Sequence, residues 1–128
     1  MSLNYNAIKQ GDIWSIDFEP QVGEEITKVR PAVVIDIDDV GFRGVRMIVP
    51  ITSWQKEFAR YEWLLKLDDY KALGLNNLSC VNCHQVKSFS IQRFRKKIGE
   101  LDFETLMQIH EKIVCMFHYD YSLIYEKL

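Results

Sequence analysis

The sequence predicts a mainly β fold with a C-terminal α-helix, built as a small, strongly bent sheet that closes into a barrel. Three observations carry this. Five or more short segments have strand character, the connections between them are of hairpin length, and one long helical pattern stands alone near the C-terminus. A chain of 128 residues fits a single domain spanning 1–128. It is large enough to bury about two-thirds of its unfolded surface without disulfide or metal staples.

From Ile13 to Phe18 apolar and polar residues alternate, the mark of a half-buried strand, whereas the apolar run Ala32 to Ile35 suits a strand buried on both faces. Between them Glu19-Pro20 opens a turn and Gly23 relaxes it, so Gln21 to Val29 form a polar loop that delivers Arg30 to a rim. Pro31 holds Arg30 extended, because its ring disfavours the helical region for the preceding residue. Asp36 to Gly44, with its aspartates and glycines, reads as a hairpin loop. Arg46 to Ile51 is a third strand ending in Pro50-Ile51-Thr52-Ser53, which presents Thr52 where the strand gives way to an open polar segment, Trp54 to Arg60.

Tyr61 to Leu67 is a fourth strand, with Trp63 and Leu65 on one face and Glu62, Leu64 and Lys66 on the other. Asp68 to Gly74 reads as a single helical turn closed by glycine. Leu78 to Ser88 reads as a long central strand and Ser90 to Arg95 as a short helix capped by Ser90. From Asp102, a good N-cap, Leu106, Ile109, Ile113 and Met116 recur at spacings that pack a helix on a sheet, and His110 falls at a surface or half-buried position. The aromatic tail from Tyr119 to Leu128 extends the helix or packs against a partner.

Composition is ordinary for a globular chain, at 48% hydrophobic and 27% charged residues. No apolar run approaches the ~18 residues of a membrane span, and Met1 to Gln10 lacks the apolar core of a signal peptide, so a cytoplasmic location is expected. The odd set Cys80, Cys83 and Cys115 then implies reduced thiols. A formal charge of −2 gives no global pull towards nucleic acid, which must therefore be bound by local basic surface. Lys28 and Arg30 flank the first loop. The run Arg93, Arg95, Lys96 and Lys97 reads as a solvated helix end ahead of an RNA track.

Cys80-Val81-Asn82-Cys83-His84 formally matches a c-type haem attachment pattern, but it falls in an expected strand of a chain without an export signal. A zinc site would need a second ligand pair, and Cys115 with His110 or His118 matches poorly. No cofactor or metal is expected. The two thiols are expected to pack on opposite faces of a strand, and His84 could line a groove.

Several stretches resemble one family. Gly11-Asp12-Ile13-Trp14 matches a Gly-Asp-(aromatic) opening, and Gly23-Glu24-Glu25 to Arg30-Pro31 matches a Gly-(Ser)-Glu to Arg-Pro loop running into an apolar strand. Val49-Pro50-Ile51-Thr52-Ser53, Gln85-Val86-Lys87-Ser88 and Ile98-Gly99-Glu100-Leu101 follow in the same order. Across most of the chain the sequence resembles the MazF/PemK toxins, ribosome-independent RNA endonucleases of toxin–antitoxin pairs. The resemblance implies an SH3-like barrel of the MazF/PemK/CcdB kind, a homodimer, a single-stranded RNA substrate cut without metal, and a cognate antitoxin that fills the RNA groove and supplies any contact with DNA.

Metal-free RNA cleavage needs a base for the 2′-hydroxyl, an acid for the leaving 5′ oxygen, and fixed donors for the phosphate. The resemblance maps a catalytic arginine onto Arg30 and a catalytic threonine onto Thr52. A guanidinium fits phosphate bidentately and stays charged, so charge stabilisation is the natural task of Arg30, while the Thr52 hydroxyl can donate to a non-bridging oxygen. The plain alternatives are an ion pair of Arg30 with Glu24 or Glu25 and a strand-end cap at Thr52.

Glu25 stands in the place of a loop acid and is the nearest candidate base. Glu24 replaces a common serine, which touches local phosphate contacts. Trp54 and Phe58 could stack bases, with Gln55 reading edges and Lys56 and Arg60 holding phosphates, or the two rings could lock the barrel or a dimer. Lys28, Ser53 and Gln85 complete the expected RNA-binding set, and Trp14 is expected in the core or an interface. Two rival readings are a topoisomerase poison of the CcdB kind, whose Trp-Gly-Ile ending is here Tyr-Glu-Lys-Leu, and an inactive antitoxin-binding module, against which Arg30 and Thr52 speak.

Overall fold

The structure, a computed structural model, describes residues 5–18, 28–38, 44–118 and 122. Its strands are β1 (Asp12–Asp17), β2 (Val29–Val34), β3 (Val45–Ser53), β4 (Leu64–Leu67), β5 (Ser79–Asn82), β6 (Lys87–Ser90) and β7 (Phe94–Glu100), followed by helix α1 (Phe103–Met116). All pairings are antiparallel. They run in the order β4-β5-β3-β2-β1-β7, with β6 also on β3. The mainly β architecture with one C-terminal helix is as expected, but among the described residues no pairing joins β4 to β7, so the barrel is left open.

Apolar residues cover both faces of the sheet. Ile13, Val33, Val49 and Val81 share the larger cluster with Ile109 of α1, whereas Trp14, Ile16, Ala32, Val34 and Ile48 share the smaller one with Ile8 and Phe94. The strand period of two sends successive residues to opposite clusters. Ser15 and Asp17 remain half-buried, so β1 has the alternation its sequence shows. Trp14 lies in the core, with its ring edge-to-face on Phe94.

Helix α1 begins at Asp102, whose side chain accepts the Thr105 N–H at 2.7 Å. Hydrogen bonding from the Thr105 side chain and then from its backbone N–H holds the Asp102 carboxyl below its ordinary pKa, so the cap is present at neutral pH and is lost as pH falls. Leu106 and Ile109 are buried, with Ile113 and Met116 packed beside them, and His110 is half-buried with Nε2 2.9 Å from the Ile35 carbonyl. No helix among the described residues is long and apolar enough to cross a membrane.

Three expected elements differ. The long strand Leu78 to Ser88 is two strands: β5 pairs with Ile51–Ser53 and β6 with Val45–Ile48, and Cys83 to Val86 turn between them without partners on Val49 and Pro50. Pro50 has no N–H to offer the ladder, and Asn82 Oδ1 accepts the His84 N–H to turn the chain there. The central strand is β3, not this segment. Tyr61 to Trp63 form a turn before β4, closed by Leu64 N donating to the Tyr61 carbonyl.

The run from Arg93 to Lys97 is a strand, not a helix end. Ser90 caps only the short 3-10 turn Ile91–Arg93, after which the buried Phe94 starts β7. Arg95 pairs with Asp17 and Lys97 with Asp12 and Glu100, so these cations are neutralised along β1 and at the end of β7.

Asp68 to Gly74 is a hydrogen-bonded turn closed by glycine as expected. Leu75 N donates to the Tyr70 carbonyl and Gly74 N to that of Lys71, the Schellman pattern, with Gly74 at φ +83°. This turn rests directly on β7. A Cβ on Gly99 would lie 2.3 Å from the Leu73 carbonyl oxygen, and one on Gly74 2.5 Å from that of Ile98.

At the opposite end of β3 the sequence conceals a buried charge. Arg46 is fully buried; its Nε donates to Asp36 Oδ1 at 2.9 Å, its Nη1 to the Ile8 carbonyl at 2.6 Å and its Nη2 to the Asp36 carbonyl and Asp38 Oδ1. Truncation to Arg46→Ala leaves the buried Asp36 carboxylate uncompensated and is expected to cost about 3–5 kcal/mol in urea unfolding. Asp38→Ala, whose side chain is 47% exposed, is expected to cost ~1 kcal/mol or less.

Candidate active site

β2 and β3 end together at one edge of the sheet. Their ladder runs from Val34 and Ile48 to Ala32 and Pro50, and Arg30 and Thr52 each stand two residues beyond that last pair. Pro31, paired with Ser15 of β1, keeps Arg30 in the strand, and Thr52 is held from its other side by pairing with Cys80 of β5. Both side chains are exposed at the strand ends.

Two cavities meet there, and Arg30, Ile51 and Thr52 line both. The first, of about 520 Å³, is walled by the hydroxyls and amides of Ser15, Ser53, Ser79, Asn76 and Asn77. The second, of about 340 Å³, is walled by Phe18 and Phe58 with Asn82, Gln85 and Lys87. Neither is lined by a described carboxylate, and Lys87 Nζ lies 5.9 Å from the Phe18 ring centre. The pair Arg30–Thr52 thus stands on a divide between a polar and an aromatic compartment whose fixed charges are positive. Such an arrangement suits an anion on the divide with planar groups to either side. A further cavity of about 520 Å³, between β4 and α1, includes none of the expected site residues.

Comparison with known proteins gives the lineage. A family model described as a PemK-like, MazF-like toxin of type II toxin-antitoxin system matches residues 9–117. The chain belongs to this toxin family. Endoribonuclease EndoA of Bacillus subtilis is 31% identical over 108 residues, covering 83% of this chain and 90% of that protein. Endoribonuclease MazF9 of Mycobacterium tuberculosis is 29% identical over 112 residues, covering 83% of this chain and 92% of that protein. Among solved structures, a MazE-MazF crystal structure from Deinococcus radiodurans superposes with a TM-score of 0.70 at 23% identity, covering 88% of this chain and 96% of that one, a likeness of fold.

On this PemK/MazF chain the expected residues divide into two groups. Arg30, Thr52, Ser53, Phe58 and Gln85 line the paired cavities. Lys28 is exposed just before β2, where its carbonyl accepts the Phe18 N–H. Glu25 and its neighbour Glu24 lie outside the described residues.

Trp54, Gln55 and Lys56 line neither cavity. The segment expected to be an open loop is folded into a 3-10 turn, Lys56–Arg60. The Trp54 N–H donates to the Leu78 carbonyl and its ring sits edge-to-face on Phe58 at 6.1 Å, so Trp54 buttresses the ring that does face the cavity. Gln55 and Lys56 are exposed.

Sequence reasoning missed Phe18 and Lys87 on the aromatic side and Asn76 and Asn77 on the polar side. Lys87 stands within the quoted Gln85-Val86-Lys87-Ser88 stretch, and Phe18 closes the alternation of β1. The two asparagines follow an ordinary turn glycine, and nothing local distinguishes them.

The cysteines take no part. Because β5 ends at Asn82, Cys83 sits in the following turn rather than on a strand face opposite Cys80, and both are fully buried. Burial pushes the Cys83 thiol up to about 11 and raises that of Cys80. His84 is exposed beside Trp63, away from the paired cavities.

Two measurements test this packing. At pH 8 a thiol reagent is expected to modify the exposed Cys115 rapidly and Cys80 and Cys83 only on unfolding. Gly99→Ala, which drives a Cβ into the Leu73 backbone, is expected to lower stability by about 1–3 kcal/mol, measured by thermal or urea unfolding.

Proposed function

We propose that the chain acts as a single-domain, metal-independent endoribonuclease toxin that cuts single-stranded RNA at selected sequences. The 2′-hydroxyl beside the scissile bond attacks its own phosphate, the P–O5′ bond breaks, and a 2′,3′-cyclic phosphate and a 5′-hydroxyl end result. The observation that carries this reading is the convergence of Arg30 and Thr52 on a divide open to two cavities, in a chain whose curated relatives are endoribonucleases.

Arg30 supplies two parallel N–H donors to the phosphate and compensates the charge that grows there. Thr52 donates to a non-bridging oxygen and orients the phosphate for in-line attack. Glu25, on the loop that ends at Arg30, is the candidate to take the 2′ proton; a guanidinium, with a pKa above ~12, is a poor proton donor, so Arg30 acts first as a charge clamp. Phe58 and Gln85 contact bases on one flank, Ser53 on the other, and Lys28 holds backbone phosphate at the rim. Trp54, Gln55 and Lys56 act through the 3-10 turn that sets Phe58.

The toxin works as a homodimer in the cytoplasm. A cognate antitoxin occupies the same groove and brings any DNA contact, in keeping with the MazE-MazF complex that shares the fold. The family and its endoribonuclease relatives favour this over topoisomerase poisoning.

Purified protein incubated with a long single-stranded RNA in EDTA is expected to produce discrete cuts ending in 2′,3′-cyclic phosphate. Arg30→Ala and Thr52→Ala are each expected to slow cutting by about 10²-fold or more while retaining the native melting midpoint. Intact RNA after incubation with folded, antitoxin-free protein would overturn the nuclease reading.

A further inference from the structure

We propose that Asn76 and Asn77 form the wall that reads the base edge of the nucleotide on one side of the scissile phosphate. On the opposite wall Phe18 and Phe58 stack the nucleotide on the other side, and that stacking does not choose among bases. This rests on the endoribonuclease reading and assigns its specificity.

The two walls differ in chemistry. Asn76 and Asn77 are exposed, line the cavity that opens from Arg30 and Thr52, and carry carboxamides. A carboxamide presents a donor and an acceptor side by side, the complement of a base edge, whereas it holds phosphate less well than a cation does. Among the described residues the only cation lining that cavity is Arg30, already on the divide. Across the divide the lining gains the rings of Phe18 and Phe58, Lys87, and the amides of Asn82 and Gln85. Rings stack on any base because every base has a π-face, so Phe18 and Phe58 contribute affinity with little choice.

The asparagine wall is also rigid before any ligand arrives. Leu75 is buried in the larger core and its N–H closes the turn to the Tyr70 carbonyl at 2.9 Å. Gly74 and Gly99 let the turn seat directly on the backbone of β7. Asn77 is clamped at two points: its Nδ2 donates to Ser53 Oγ at 3.0 Å, and its carbonyl accepts from Ser79 Oγ at 2.7 Å. Ser53 follows Thr52 in β3, so the wall is tied to the strand that carries the phosphate-orienting hydroxyl. With Nδ2 engaged, Oδ1 of Asn77 remains as an acceptor, and Asn76 beside it presents its whole amide. Hydrogen-bonding groups fixed in this way discriminate strongly, because a wrong base leaves them unpaired.

The test is cleavage of an RNA library randomised on both sides of the cut, with sequencing of the ends produced. For Asn76→Ala and Asn76→Asp, the preference for one base over the other three is expected to fall by about tenfold or change identity at one position on one flank. The base order on the opposite flank is expected to stay the same. Phe58→Leu is expected to slow cutting of all sequences together without reordering them. Asn77→Ala also removes the clamp on Ser53; should it fail to fold, the exposed Asn76 variants still decide the matter.

If the Asn76 variants cut every sequence more slowly by one common factor and keep the parental motif, the wall does not read bases, and the nuclease function stands. If the unaltered protein leaves all RNA intact, the function itself falls, and this assignment with it.

Discussion

Arg46 donates to the side chains of Asp36 and Asp38 and to the carbonyls of Asp36 and Ile8, which ties β3 to the segment after β2 and to the N-terminal segment. Gln10 strengthens the knot from the N-terminal side, its N–H donating to Asp38 and its amide to the Ile35 carbonyl. Burying a guanidinium costs several kcal/mol, which only a full set of partners offsets. What this arrangement supplies is direction. Apolar packing alone tolerates sliding, whereas a charged fork with fixed partners does not. The site at the far end of β3 depends on that, because the register that pairs Val34 with Ile48 beside the knot is the one that brings Ala32 to Pro50, two residues short of Arg30 and Thr52. A slip of one residue would turn Thr52 to the other face of the sheet.

A second constraint shapes the groove itself. Pro50 interrupts the ladder between β3 and its outer neighbours, and the chain leaves β3 there to turn through Cys83 to Val86 from β5 into β6. Asn82 before this turn and Gln85 within it reach the aromatic cavity, and β6 resumes with Lys87 on the same wall. On the other side, the contact of Gly74 with β7 pushes the asparagine turn up beside Ser53 and Ser79. Arg30 and Thr52 therefore sit between two walls raised by unrelated devices, one a missing N–H and the other a missing Cβ.

The reach of the sequence follows from the range of the interactions involved. Alternation in β1, the apolar run of β2, the N-cap at Asp102 and the stripe of α1 are local patterns with a local cause, and each was readable. The extended Arg30 before Pro31 and the strand-end position of Thr52 were readable for the same reason. Asp36 and Asp38 look like ordinary loop residues until the fold brings Arg46 beneath them. The split of β5 from β6 was hidden because Pro50, its cause, lies on a strand that pairs with that segment only in the folded sheet. The run from Arg93 to Lys97 misled because four cations suggest a solvated helix end, yet Phe94 among them is drawn into the smaller core and Asp12 and Asp17 of β1 accept the flanking charges.

Those ion pairs bear on how a chain with a formal charge of −2 can hold a polyanion. Cations on β7 that face Asp12 and Asp17 contribute little field beyond a Debye length of about 8 Å, since each is paired with an acid. Arg30 and Lys87 stand in cavities that no described carboxylate lines, so their field is not cancelled locally. Net charge therefore misjudges the surface that matters, where Arg30 and Lys87 line cavities without a described acid. A groove with so few cations binds the phosphate backbone weakly and draws much of its affinity from rings and amides, which touch bases rather than phosphates. Selectivity then follows from the physics of the lining: a nucleotide chain is held well only where its bases fit both walls.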